Sequence, residues 1–111
     1  MLISIIICTF NERESIKQVL DAVHKVDFDS EWNKEVIVVD NCSTDGTREI
    51  LSNGDWPNTR IVFNDYNLGK SASIRIAIEI LSGDYAVIQD ADLEYDPKEL
   101  PNLLNKALTD E

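Results

Sequence analysis

An α/β fold is predicted, an open sheet of about four parallel strands with helices on both faces. Three observations predict it. Short β-branched runs alternate with stretches of helical periodicity along the chain. The runs are apolar at successive positions rather than at every second one, the pattern of strands covered on both faces. Each run also ends in a cluster of polar residues, the place where such sheets bind ligands.

The first run, LISIIIC at 2–8, reads as a buried strand. Asn11 is expected to cap the following helix, with Glu14 as its capping-box partner. Ile16, Val19, Leu20, Val23 and Val26 supply that helix's buried stripe. A second strand, EVIVVD, occupies 35–40. Ser43 to Asp45 offer caps for a short helix that Gly54 ends. TRIVFN at 59–64 is the third strand. The stretch GKSASIRIAIEILSG predicts a helix with Ile74, Ala77, Ile78 and Leu81 inward, closed by Gly83. DYAVIQD at 84–90 is the fourth strand. Asp96, Pro97 and Glu99 then give cap, first position and capping-box partner of a last helix, with Leu100, Leu103, Leu104 and Leu108 as its apolar face. Right-handed crossovers make this a Rossmann-like sheet. The clusters CTFNE, DNCSTDGT, NDYNLGK and DADLE then converge along one edge.

At 111 residues, 43% apolar and 28% charged, the chain is expected to form one globular domain over 1–111. A net charge of −11 argues against nucleic acid as a partner, and makes an anionic ligand hard to hold without a cation. The opening residues lack the basic region of a signal peptide, so a cytoplasmic location is expected. Cys8 and Cys42 are read as buried free thiols. The acceptor sequence NCS at 41–43 carries little weight as a glycosylation site without a secretion signal. His24, the single histidine, is expected on the surface far from the polar edge. Histidine-assisted nucleophilic catalysis therefore has no base.

The densest cluster is VIQDADLEYDP, where Asp90, Asp92, Glu94 and Asp96 follow an apolar strand. Asp90 and Asp92 are two apart at a strand end and share a face. Such a pair suits a hard divalent cation, Mg²⁺ or Mn²⁺, that keeps positions for water and phosphate oxygens. Asp96 is a helix cap instead. Asp40 ends the second strand and either accepts hydrogen bonds from a nucleobase or ribose or caps the next turn, for which Ser43 and Asp45 are better placed. NLGKSAS is not a phosphate loop, because Asn64 stands where the pattern needs glycine. Lys70 either touches a phosphate or is a solvated surface lysine. DADLE differs from the nucleophile motif of haloacid-dehalogenase-like phosphatases, since it lies on the fourth strand and carries Glu94 where that motif has threonine.

The stretches SIIICTFNERESI, VIVVDNCSTDGT and NLGKSASIRIAIEILSGDYAVIQDADLEYDP resemble successive motifs of the family 2 glycosyltransferases of the GT-A fold. The last is similar to dolichyl-phosphate and polyprenyl-phosphate mannose or glucose synthases. The resemblance implies a strand order of 3-2-1-4 and a site for a UDP- or GDP-linked sugar. In it Thr9, Phe10, Asn11 and Glu12 would line the base pocket. Asp40 and Asn41 would hold base or ribose, and Lys70 would stand near the phosphates. Asp90, Ala91 and Asp92 would be the DXD motif that binds diphosphate through Mg²⁺ or Mn²⁺, with Glu94 a third metal ligand. Cys8 and the pair Asn41–Cys42 depart from the commoner residues there. The implied activity is sugar transfer to an acceptor such as a polyprenyl phosphate, at the membrane periphery. The alternative is a nucleotide-sugar-binding module or assembly protein without transferase activity. The acceptor half and a general base are not represented in this stretch, so no catalytic residue is named. An apolar fourth strand at the sheet edge would favour a homo-oligomer.

Overall fold

The structure, a computed structural model, describes residues 1–28, 32–92 and 96–109, with side chains through Lys106. Its strands are β1 (Leu2–Thr9), β2 (Asn33–Asp40), β3 (Thr59–Phe63) and β4 (Tyr85–Ile88). They form one sheet in the order β3-β2-β1-β4, with every neighbouring pair parallel. The expected fold and strand order are both present. Register makes the carboxyl ends nearly flush: Thr9 lies opposite Asp40, and Asp40 opposite Phe63.

Helices α1 (Ile16–Lys25), α2 (Thr47–Asn53) and α4 (Leu100–Thr109) cover one face, and α3 (Lys70–Ile80) the other. The first face holds the larger core, in which Ile5, Ile7, Val36 and Val38 meet Ile16, Val19, Leu20, Val23, Leu51 and Leu100. The second is thinner, with Ile6, Ile37 and Val39 against Ala77. Because β1 and β2 alternate between two covered faces, both read as unbroken apolar runs.

Several local expectations are corrected. Asn11 does not cap α1; Ser15 stands at the N-cap and Asn11 takes a left-handed φ of 54°. The backbone amides of Asn11, Glu12 and Arg13 donate instead to Ser43 Oγ, Thr47 Oγ1 and Asp45 Oδ2 across the gap to the β2–α2 loop. With those donors engaged, the helix starts later. On α3, Ile78 faces outward at 54% exposure. Ser73 and Ala77 form the innermost line because α3 lies close to the sheet. On α4, Leu103 is exposed while Leu100 and Leu104 are buried, and Leu108 lies outside the described side chains. Gly54 follows α2 with an extended backbone, φ −80°, rather than a left-handed one. Its side-chain position is filled by the Trp56 indole, whose Nε1–H donates to Leu51 O at 3.1 Å.

His24 is half-buried rather than on the surface. Its ring stacks on Trp56, its Nε2 lies 3.2 Å from Thr59 Oγ1, and burial pushes its pKa down. Both cysteines are free but half-buried rather than buried. Asp96 does cap the 3-10 turn Pro97–Glu99 that precedes α4, accepting from Lys98 N at 3.0 Å.

Candidate functional site

The carboxyl ends of β1, β2 and β4 and the amino end of α3 enclose a cleft of about 370 Å³. β1 and its loop supply Cys8, Thr9, Phe10 and Glu12, and the β2 end supplies Asn41. The β3–α3 segment brings Asn67, Gly69, Lys70 and Ser73, and the β4 end brings Asp90, Ala91 and Asp92. The four clusters expected at strand ends thus do come together.

Two hydrogen-bond networks fix the walls. The first joins the loops after β1 and β2. Besides the three amide donors already described, Thr44 N donates to Asn11 Oδ1 at 2.8 Å. Asp45 accepts from Thr47 N and Thr47 Oγ1, and these bonds together with Arg13 N–H outweigh burial to hold its carboxyl below the ordinary range. The second network joins β2, β3 and α3. Asn41 Oδ1 accepts from Leu68 N at 2.8 Å and Asn64 Nδ2 at 3.2 Å, while its Nδ2 donates to Asn67 Oδ1 at 2.7 Å. Asn64 Nδ2 also donates to Ser73 Oγ, and Gly69 N to Asn67 Oδ1. A chain of short amides and hydroxyls therefore sets the path of the loop into α3.

Within these walls some groups are left for a ligand. Thr9 is 2% exposed and its Oγ1 finds no partner among the described residues, a costly arrangement for a hydroxyl away from water. The first turn of α3 has no side-chain cap and no acidic residue, and its N-cap Gly69 has a φ of 89°. Phe10 stands at the cleft with its side chain 44% exposed.

The turn after β4 is anchored from below. Ala91 is buried in the larger core, and its carbonyl accepts from Ser15 Oγ at 2.5 Å. Pinning the middle residue turns Asp90 and Asp92 to the cleft. Asp90 Oδ1 accepts from Lys70 Nζ at 3.1 Å, and that hydrogen bond, with the charge behind it, pushes the Lys70 pKa up. Burial pushes the neighbouring Cys8 thiol up as well, so it is not activated as a nucleophile.

Among the described residues no three acidic, histidine or cysteine side chains gather as a metal cage. Two carboxylates at the rim of a cleft nevertheless fit Mg²⁺ or Mn²⁺. Such a cation takes one or two protein carboxylates and fills its other positions with water and substrate phosphate.

Of the residues expected at the site, Thr9, Phe10, Glu12, Asn41, Lys70, Asp90, Ala91 and Asp92 line the cleft. Asn11 and Asp40 do not line it. Asn11 joins the two loops, and Asp40 is fully buried, accepting from Ser43 N at 3.1 Å and Ser43 Oγ at 2.6 Å. Arg48 Nε lies 3.7 Å from Asp40, and its guanidinium stacks on Phe63. Glu94 lies outside the described residues. Sequence reasoning named neither Cys8, Asn67, Gly69 nor Ser73 as site residues, although the strand-end cluster NDYNLGK was the available signal for two of them.

Comparison with known proteins places this geometry in a family. The family described as glycosyl transferase family 2 matches residues 4–111. The undecaprenyl-phosphate 4-deoxy-4-formamido-L-arabinose transferase of Pseudomonas fluorescens (strain SBW25) is 32% identical over 108 residues, covering 95% of this chain and 32% of that protein. This chain therefore spans about a third of that relative's length. Among solved structures, the mannosyltransferase PcManGT from Pyrobaculum calidifontis in complex with GDP-Man and Mn²⁺ is 29% identical with a TM-score of 0.79, covering 92% of this chain and 31% of that one. S. aureus TarS 1-349 in complex with UDP-GlcNAc is 30% identical with a TM-score of 0.78, covering 97% and 30%. The chain belongs to glycosyl transferase family 2, with the GT-A fold of these enzymes.

Proposed function

We propose that residues 1–111 form the donor-binding domain of a glycosyltransferase that uses a UDP- or GDP-linked sugar with a divalent metal. The observation that carries this reading is the cleft itself. A partnerless buried Thr9 hydroxyl, an uncapped helix start with a lysine, and Asp90 beside Asp92 all border one space. A nucleoside diphosphate offers a matching partner to each. Phe10, at the cleft, would stack on the base, and Thr9 and Glu12 would meet its polar edge. The free amides of the α3 amino end and Lys70 suit the diphosphate. Asp90 and Asp92, with Glu94, would hold Mg²⁺ or Mn²⁺, which supplies Lewis-acid stabilisation of the departing diphosphate. In the transfer, an acceptor oxygen bonds to the sugar's anomeric carbon while the bond to the nucleoside diphosphate breaks with its electron pair. Rigid walls around the diphosphate hold that leaving group in place.

The transferase relative's name supports a polyprenyl phosphate as acceptor. With such an acceptor, the reaction would take place at the membrane periphery on the cytoplasmic side. No helix among the described residues is long and apolar enough to cross a membrane. The β4 edge, with Ile88 and the neighbouring Leu103 exposed, supports association of copies. A monomeric mass by light scattering at high concentration would count against that.

Calorimetric titration of UDP and GDP, each with Mn²⁺ and with EDTA, tests the donor site. Binding is expected to require Mn²⁺ and to disappear in Asp92→Ala. If neither nucleotide binds, the chain keeps the family's fold without its site. Transfer to a polyprenyl phosphate, measured beside donor hydrolysis, separates a transferase from a binding module.

A further inference from the structure

The cation bonded to Asp90 stands at an unfavourable place on its own helix. Lys70 is the first residue of α3, where the aligned peptide dipoles oppose a positive charge. The first turn of α3 offers it no acidic neighbour. Its partner lies across the cleft: Nζ is 3.1 Å from Asp90 Oδ1, and the two side chains are 63% and 29% exposed. A pair that open to solvent is held weakly and exchanges readily. The uncapped amides of the same first turn leave an anion well placed to draw the ammonium toward the helix.

We propose that Lys70 is an exchangeable counter-ion of Asp90. It holds this carboxylate while no nucleotide is bound, and yields it to a divalent cation when a nucleoside diphosphate draws the ammonium to its phosphates. This rests on the donor-site reading above. The exchange makes metal and nucleotide bind cooperatively. Without the anion, the metal must displace an ammonium; with it, the ammonium already has another partner. Such a device suits an acidic protein, because it lowers the site's affinity for metal alone relative to metal with nucleotide.

The test is the uptake of Mn²⁺, read by electron paramagnetic resonance of the free ion, with and without UDP or GDP. Lys70→Met is expected to bind Mn²⁺ alone about two- to fivefold more tightly than wild type, the range that an exposed ion pair supports. The same variant should bind the nucleotide with Mn²⁺ roughly tenfold more weakly, having lost a charged contact to phosphate. Lys70→Arg should behave as wild type in both. Lys25→Met makes the same charge change at the far end of α1 and should alter neither. Wild type that binds nucleotide with Mn²⁺ while Lys70→Met takes up Mn²⁺ alone no more tightly would overturn the exchange and leave the donor site standing. Absence of nucleotide and metal binding in wild type would overturn both.

Discussion

The two ends of this sheet use polar residues in opposite ways. At the amino end, Glu35 of β2 gathers neighbours on three other elements. Its carboxylate accepts from Ser4 Oγ of β1 at 2.5 Å, Arg60 NH2 of β3 at 2.9 Å and Ser82 N of the α3–β4 loop at 2.7 Å. Ser4 Oγ in turn accepts from Gly83 N, and Asp84 Oδ2 from Leu2 N. Lys34 Nζ donates to Val23 O, His24 O and Val26 O, closing the end of α1. At the carboxyl end, the side chains that shape the loops are bonded with equal care, Asn41, Asn67 and Ser73 of the cleft among them, but some groups facing the cleft are not. Among the described residues Thr9 Oγ1 has no partner and α3 has no side-chain cap, and Asp90 is held by an exposed lysine. At the amino edge the charged side chains find partners around an open cavity of about 800 Å³ lined by Lys34, Glu35 and Arg60, whereas the carboxyl edge leaves hydrogen-bonding capacity unused among the described residues.

That contrast can be broken by substitution. The largest effect should come from Glu35→Ala, which takes the carboxylate from partners on three other elements; a loss of about 2–3 kcal/mol is expected in urea denaturation. A change below 0.5 kcal/mol would show that the amino edge is not held through this carboxylate.

The same residue predicts a pH dependence. Burial pushes its pKa up, but the bonds from Ser4, Ser82 and Arg60 outweigh that and hold it below the ordinary 4.5. Its contribution is therefore complete above the unfolded value and is lost as pH falls through the lower folded value. Glu35→Gln should flatten that acid limb of the stability curve, and an unchanged slope below about pH 4.5 would assign the acid sensitivity elsewhere.

A smaller loss is expected from Gly83→Ala, because a side-chain carbon there would lie 2.3 Å from Ser4 Oγ and 2.7 Å from Ser4 N. The strand and loop must separate, at about 1–3 kcal/mol. At the other edge, Asn41→Ala removes the acceptor of Leu68 N and should cost about 1–2 kcal/mol, with faster amide exchange at residues 67–69. The smallest change sharpens the comparison most. Thr9→Val should be neutral or stabilising by up to about 1 kcal/mol, since it removes a hydroxyl without a partner, yet it should weaken nucleotide binding about three- to tenfold. Destabilisation with unchanged binding would mean that Thr9 belongs to the architecture and not to the site.

Much of the site was legible because a parallel sheet forces strand ends together. Once LISIIIC, EVIVVD and DYAVIQD are read as neighbouring strands, Thr9, Asn41 and Asp90 must share an edge. The exceptions have local causes. Asn11 carries a good capping side chain, but the amides it would have served were drawn to another loop. Ser73 looks like a solvent position in an isoleucine-rich helix, yet it is fully buried on the sheet-facing side of α3, where Asn64 Nδ2 donates to its hydroxyl. Asp40 has the residue type and position of a ligand, and Ser43, three residues on, takes both of its oxygens.

By itself the sequence determined the strand and helix periods, the buried sheet centre and the edge at which polar residues collect. Those follow from spacing, which is local along the chain. Only the tertiary structure decided which polar groups bind one another and which remain available. Asn41 lines the cleft and also braces the loop into α3, and Lys70 becomes the partner of Asp90, through contacts spanning 20 residues or more. Hydrogen bonds between distant segments leave no periodic trace in a sequence, because one donor and one acceptor can meet from any separation once the core has fixed the chain's path.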